Sequence, residues 1–224
     1  MGQMVKDEVF ERIIKNKEQT FCLNNACNPE MILTWEHVEQ YINDNIHNSP
    51  IVSIGKNGLR SNVYRSTENS STNTGELVSE ILDGNSFVLN SMERYTKGLF
   101  YVSNILSKIH NRYVTTNIYG GLKNTSKSFG THYDEQYVLI LQLDGISNWT
   151  VFNEVADGTT RILDDDTHLN IDIQTTLHPG DVLYIPYMKY HKCIPSSKRL
   201  SASISVDYHL DRPNNYGNWY KIIN

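Results

Sequence analysis

The chain has 224 residues, of which 39% are hydrophobic and 20% charged, a globular composition that makes one compact domain the expected organisation. Its net charge of −5 gives no global basic field for a phosphate backbone, which argues against nucleic acid as a partner. Three cysteines (Cys22, Cys27 and Cys193) are an odd number without metal spacing, and the sequence has neither an apolar leader nor a run of about eighteen apolar residues. A cytoplasmic, non-membrane protein with reduced thiols is expected.

Val9, Phe10, Ile13 and Ile14 recur at helical spacing and predict a short helix in an otherwise aperiodic first thirty residues. A second helix is expected from Thr34, an N-cap type, with Trp35, Val38, Tyr41 and Ile42 on one face. Ile51 to Ile54 reads as a strand, and the Ser, Thr and Asn of Ser66 to Gly75 read as an exposed loop. Leu77, Val78, Ile81 and Leu82 predict a helix that Gly84 terminates, followed by a strand from Phe87 to Leu89. Leu99 to Ile109 carries the apolar stripe of a helix packed on a sheet.

Beyond Tyr113 the texture changes to short β-prone runs. Turn signals punctuate them at Gly120-Gly121, Asp144-Gly145, Asp157-Gly158 and Pro179-Gly180. The expected strands are Tyr113 to Tyr119, Tyr137 to Leu143, Trp149 to Phe152, Ile171 to Leu177, Val182 to Ile185 and Leu200 to Tyr208. This predicts a mainly β fold with flanking helices, a double-sheet jelly roll. Residues 1–112 would decorate a core at 113–210, and 211–224 would form a tail that docks through Trp219 and Tyr220.

Chemistry concentrates in Gly130-Thr131-His132-Tyr133-Asp134 and in Pro179-Gly180-Asp181-Val182-Leu183-Tyr184-Ile185-Pro186, which leads to His191. On extended backbone, residues two apart share a face, so His132 and Asp134 can point into one barrel mouth. The 57 positions between Asp134 and His191 leave room for intervening strands that bring the third group alongside. Two imidazoles and one carboxylate on one side of a metal leave open positions, the pattern of non-haem Fe(II) oxygenases. An isolated H-x-D pair is common by chance, and it is the second block that gives this one weight. His178, His168 and His209 read as surface or hydrogen-bonding residues, and Asp164, Asp165 and Asp166 as a solvated loop without the pattern of a calcium loop.

These stretches, with Leu33-Thr34-Trp35-Glu36, Asn117-Ile118-Tyr119 and Tyr137 through Gly145, resemble the JmjC-type cupin oxygenases, and among them the ribosomal protein hydroxylases, from about residue 33 to about 208. The resemblance implies a double-stranded β-helix that binds Fe(II) through His132, Asp134 and His191 and uses 2-oxoglutarate and O₂. It also implies hydroxylation of a side chain on a peptide, a protein or a peptide-derived natural product, with a small molecule as the alternative substrate. Asn117 and Tyr119 match an Asn-x-Tyr that approaches the co-substrate. The resembling enzymes carry Lys or Arg two residues beyond the Gly of the Asp-Gly turn, against the far carboxylate of 2-oxoglutarate, and here that position is Ser147. Arg199, Lys123 and Lys127 are the candidate replacements, with Arg199 favoured. Ser147 also leaves open a cupin metalloenzyme that works without 2-oxoglutarate, or a non-catalytic metal-binding domain of this fold. Ending at residue 224, the chain is expected to lack the dimerisation and winged-helix regions of the ribosomal enzymes. A small tailoring hydroxylase fits that length, with loops 66–75 and 120–131 as lids and a homodimer among the open oligomeric states.

Overall fold

The computed structural model describes residues 3–43, 51–55, 58–64, 74–126 and 128–207. Most of loop 66–75, Lys127, His209 and the tail with Trp219 and Tyr220 lie outside them. The N-terminal periodicity produces α1 (Asp7–Lys15), which buries Val9, Phe10 and Ile13 but leaves Ile14 68% exposed. After β1 (Phe21–Leu23) and the short α2 (Pro29–Ile32), α3 (Trp35–Asn43) buries Val38 and Tyr41. Then come β2 (Ile51–Ile54), β3 (Arg60–Tyr64), α4 (Thr74–Asp83), β4 (Ser86–Leu89) and α5 (Lys97–His110). Gly84 follows α4 at φ +103°, as its capping role requires, although Val78 and Leu82 remain exposed and the buried stripe narrows to Leu77 and Ile81.

The C-terminal half is β5 (Val114–Gly121), β6 (Thr131–His132), β7 (Gln136–Val155), β8 (Ile162–Leu163), β9 (Ile171–Leu177), β10 (Val182–Ile185) and β11 (Lys189–Asp207). One layer runs β1-β10-β7-β11-β5-β4-β2-β3, antiparallel throughout. The second layer is β9-β7-β11-β6-β8. β7 and β11 belong to both layers, which is how the expected jelly roll closes. The sequence-based segments therefore overlapped longer elements. Tyr137 to Leu143 and Trp149 to Phe152 are two arms of β7, and His191 lies inside β11 rather than beyond a strand end.

Asp144-Gly145 is the bend between the arms of β7, not a turn between separate strands. Gly145 sits at φ +69°, and a Cβ there would lie 1.6 Å from the Lys198 carbonyl oxygen, so only glycine fits this crossing. Gly120-Gly121 likewise ends β5 instead of making a turn, and the Phe87 ring occupies the space that a Gly120 side chain would need.

Strand alternation divides the core. Leu139 and Leu141 of β7, with Ala202 and Ile204 of β11, join Val9, Leu99 and Val102 of the helices in the main cluster. Val138, Ile140, Trp149 and Val151 point the other way and pack with Leu183, Ile185 and Cys193. Strands β2, β3 and β4 extend the first layer, so the N-terminal region contributes to the sheet and not only to its helical cover.

Candidate metal and co-substrate site

His132 and His191 face each other as directly paired residues of β6 and β11, with ring centroids 4.4 Å apart. The His191 Nε2 lies 3.7 Å from Asp134 Oδ2, and one ligand atom from each of His132, Asp134 and His191 lies within 4.8 Å of the others. His132 Nδ1 is 2.8 Å from the Gly130 carbonyl oxygen, and His191 Nδ1 is 2.9 Å from that of Lys189. A carbonyl only accepts, so each Nδ1 carries the proton and each Nε2 presents a lone pair. Burial and the neighbouring His132 push the His191 pKa down to about 4 against the opposing pull of Asp134, which keeps the ring neutral at physiological pH. Burial raises the Asp134 pKa, but His191, His132 and Arg161 outweigh it and hold the carboxyl below the usual carboxylate range.

Two cavities meet at these residues. The outer one has a volume of about 350 Å³ and takes in Asn117, Gln136, Arg161 and Ser205. The inner one, about 30 Å³, reaches Trp149, Cys193 and Arg199. Tyr119, Phe129, His132, Asp134 and Ser203 line both.

Arg199 is 2% exposed, and its guanidinium stands 5.6 Å from the Tyr119 ring centroid. Its Nη1 donates to Cys193 Sγ at 3.0 Å, while its Nε and Nη2 are buried without a partner among the described residues. Those two nitrogens form one edge of the guanidinium, the fork that matches the two oxygens of a carboxylate. Ser147 lines neither cavity: its hydroxyl donates to Gln142 Oε1 at 2.7 Å and accepts from Trp149 Nε1 at 3.0 Å. Gln142 is fully buried and donates to the carbonyls of Asp144 and Gly145, as expected of a hydrogen-bonding core residue. Trp149 packs in the interior and stacks on His191 with centroids 6.2 Å apart. Lys123 is exposed and lines neither cavity. His168 and His178 are exposed.

Sequence reasoning missed three contributors. Arg161 donates to Asp134 Oδ1 at 3.2 Å, and nothing in its loop context signals this. Asp166 is not merely solvated, because it accepts from Thr131 Oγ1 and, at 2.6 Å, from Lys192 Nζ, clamping β6 to β11 beside His132. The serines of Leu200-Ser201-Ala202-Ser203-Ile204-Ser205-Val206 are buried, and Ser203 and Ser205 line the outer cavity. The strict alternation of that stretch was the available signal.

The JmjC domain profile matches residues 95–215, just over half of the chain and the whole of the site. The chain belongs to the JmjC family. Over 130 residues, 55% of the chain, it is 24% identical to the bifunctional lysine-specific demethylase and histidyl-hydroxylase NO66 of Drosophila willistoni, of which the match covers 17%. Over 89 residues, 36% of the chain, it is 35% identical to a probable ribosomal oxygenase of Haemophilus influenzae, of which the match covers 21%. Among solved structures, the Escherichia coli ribosomal oxygenase YcfD in complex with cobalt and 2-oxoglutarate superposes with a TM-score of 0.62 at 14% identity, covering 96% of this JmjC chain and 54% of that one. The same oxygenase with cobalt and succinic acid gives 0.61 at 15% identity, covering 96% and 55%. The JmjC chain thus spans about a fifth of these curated relatives and about half of the solved chains.

Proposed function

We propose that this JmjC chain is an Fe(II)- and 2-oxoglutarate-dependent oxygenase that hydroxylates a side chain of a peptide or protein. The observation that carries this reading is the buried guanidinium of Arg199, a residue that lines the same inner cavity as the three metal-ligating groups and whose Nε and Nη2 have no partner among the described residues. A buried cation without a counter-ion is costly, and a ligand carboxylate is the group that would relieve that cost. The donor set of two imidazoles and one carboxylate suits Fe(II) with positions left open. His132, Asp134 and His191 would hold the metal, and Arg199 would receive the distal carboxylate in place of a cation at position 147.

Iron held by His132, Asp134 and His191 would supply the oxidation, in which 2-oxoglutarate and O₂ would give succinate and CO₂ while a substrate C–H would become C–OH. The protein's own part is orientation and dryness. Tyr119 packs against the guanidinium, and Val138, Ile140 and Trp149 wall the inner cavity against water. Asn117 lies on the same face of β5 as Tyr119 and opens on the outer cavity, whose volume of about 350 Å³ admits one amino-acid side chain. The names of the relatives, a ribosomal oxygenase and a histidyl-hydroxylase, support a protein side chain as the substrate class. Reduced thiols and a ferrous centre suit the cytoplasm, and among the described residues no helix is long and apolar enough to cross a membrane.

The test is spectroscopic and then chemical. Anaerobic protein with Fe(II) should develop a visible charge-transfer band when 2-oxoglutarate is added, and should form succinate when O₂ is admitted. Iron-loaded protein that gives neither signal would return the reading to a cupin that works without 2-oxoglutarate.

A further inference from the structure

The two Arg199 nitrogens without a partner among the described residues are a matched pair, and the reason lies at the opposite end of the guanidinium. Nη1 is held by Cys193 Sγ at 3.0 Å, and Tyr119 covers one face. A register shift between Pro195 and Arg199 divides β11 into two arms, and Cys193, 6% exposed, lies on the first, where it pairs with Trp149. Arg199 lies on the second arm, paired with Gly145 at the bend. The contact therefore ties the arm that carries His191 to the arm that carries the guanidinium.

A sulfur is a weak acceptor. It fixes a direction without supplying the full counter-charge that an aspartate would. An arginine side chain carries about 2 kcal/mol of rotamer entropy, which a fixed orientation removes before a ligand arrives.

We infer that Cys193 is a positioning residue for co-substrate specificity: it holds Nη1 so that the Nε–Nη2 edge of Arg199 stays open to the distal carboxylate of a dicarboxylic 2-oxo acid. This rests on the proposed role of Arg199.

The test compares two probes on anaerobic Fe(II)-loaded protein, read by the visible band. 2-Oxoglutarate has a distal carboxylate, and 2-oxobutyrate has the same 2-oxo acid head without one. Wild type should bind 2-oxoglutarate far more tightly. Cys193→Ala should narrow that preference by about tenfold, the scale of one charge-assisted hydrogen bond. Cys193→Ser should keep it within about threefold of wild type, since a hydroxyl still accepts. Cys193→Asp should bring it close to unity, because a carboxylate would occupy the guanidinium. Iron stoichiometry and melting temperature of each variant identify damage to the fold or metal centre.

Full preference retained in Cys193→Ala would overturn the inference and leave the Arg199 reading standing. Equal weakening of both acids would also overturn it, by placing the effect at the metal. A wild type that does not distinguish the two acids would instead sink the role of Arg199, and this inference with it.

Discussion

Replacing Arg199 by methionine separates a structural role from a binding role. In the unliganded protein the guanidinium has two buried nitrogens without partners among the described residues. An unsatisfied buried donor costs about 1–3 kcal/mol, so the pair costs about 2–6 kcal/mol. Against this stand the contact with Cys193 and the approach to Tyr119, which together contribute about 1.5–3 kcal/mol. Methionine fills a similar elongated volume and adapts to irregular space. Arg199→Met should therefore move the stability of the unliganded protein by between a loss of about 1 and a gain of about 4.5 kcal/mol, with a melting shift of about 2–4 °C per kcal/mol at this size. The liganded state should behave in the opposite way. Wild type loaded with Zn(II) should gain about 2.7 kcal/mol on adding 2-oxoglutarate at a hundred times its Kd, whereas the variant should gain almost nothing. Thermal unfolding of both proteins, with chelator and with Zn(II) plus 2-oxoglutarate, measures all four states. A loss of more than about 2 kcal/mol in the unliganded variant, against the unpaired-donor cost above, would make the guanidinium a structural element and refute the reasoning.

Two further outcomes test the frame around the site. Gly145→Ala forces a left-handed residue costing about 1–2 kcal/mol and pushes a Cβ into a backbone carbonyl, so a total loss of about 3 kcal/mol or more is expected in urea unfolding. Because Gly145 pairs with Arg199, 2-oxoglutarate affinity should fall more than iron affinity, and a variant within about 1 kcal/mol of wild type would remove the bend from the account. His110 has a buried Nε2 without a partner among the described residues, and burial, reinforced by Lys17, pushes its pKa down to about 4. Below pH about 6.5 the unfolded chain takes up a proton that the folded ring refuses until about 4, so stability should decline across that window by up to about 3 kcal/mol, less for the part of the ring that water reaches. His110→Phe should flatten this stretch of the stability curve, and an unchanged slope would show that other groups set it.

The parts of the site that were legible in the sequence are those that local rules determine. His132 and Asp134 are separated by one residue, and the proline-glycine turn before β10 announces the strand that precedes His191. The helices followed from period, although Val78 and Leu82 show that an apolar stripe does not say how much of it a neighbour will cover. The bends were not legible: Asp144-Gly145 has the same composition whether the chain reverses or merely crosses from one sheet to the other. What decides is pairing with β11, a contact more than fifty residues away in sequence. Arg161 and Asp166 were missed for the same reason, since each acts across loops on a group that sequence spacing does not connect to it.

That bend also accounts for how Arg199 can serve for a cation at position 147 under the proposed function. Gly145 stands at the crossing on β7 and Ser147 two residues beyond it, and they pair with Arg199 and Pro195 of β11. A cation on either strand therefore enters the same corner of the barrel from a neighbouring position. With Ser147 engaged by Gln142 and Trp149, the β7 side of the corner is filled by neutral hydrogen bonds, and the charge enters from β11. The adjacent Lys198 does not compete for the role, because its ammonium pairs at 2.6 Å with Asp144 on the exposed side. The inward cation of this corner is Arg199, which lines the same cavity as the metal ligands, and among the described residues no anion pairs with its Nε or Nη2.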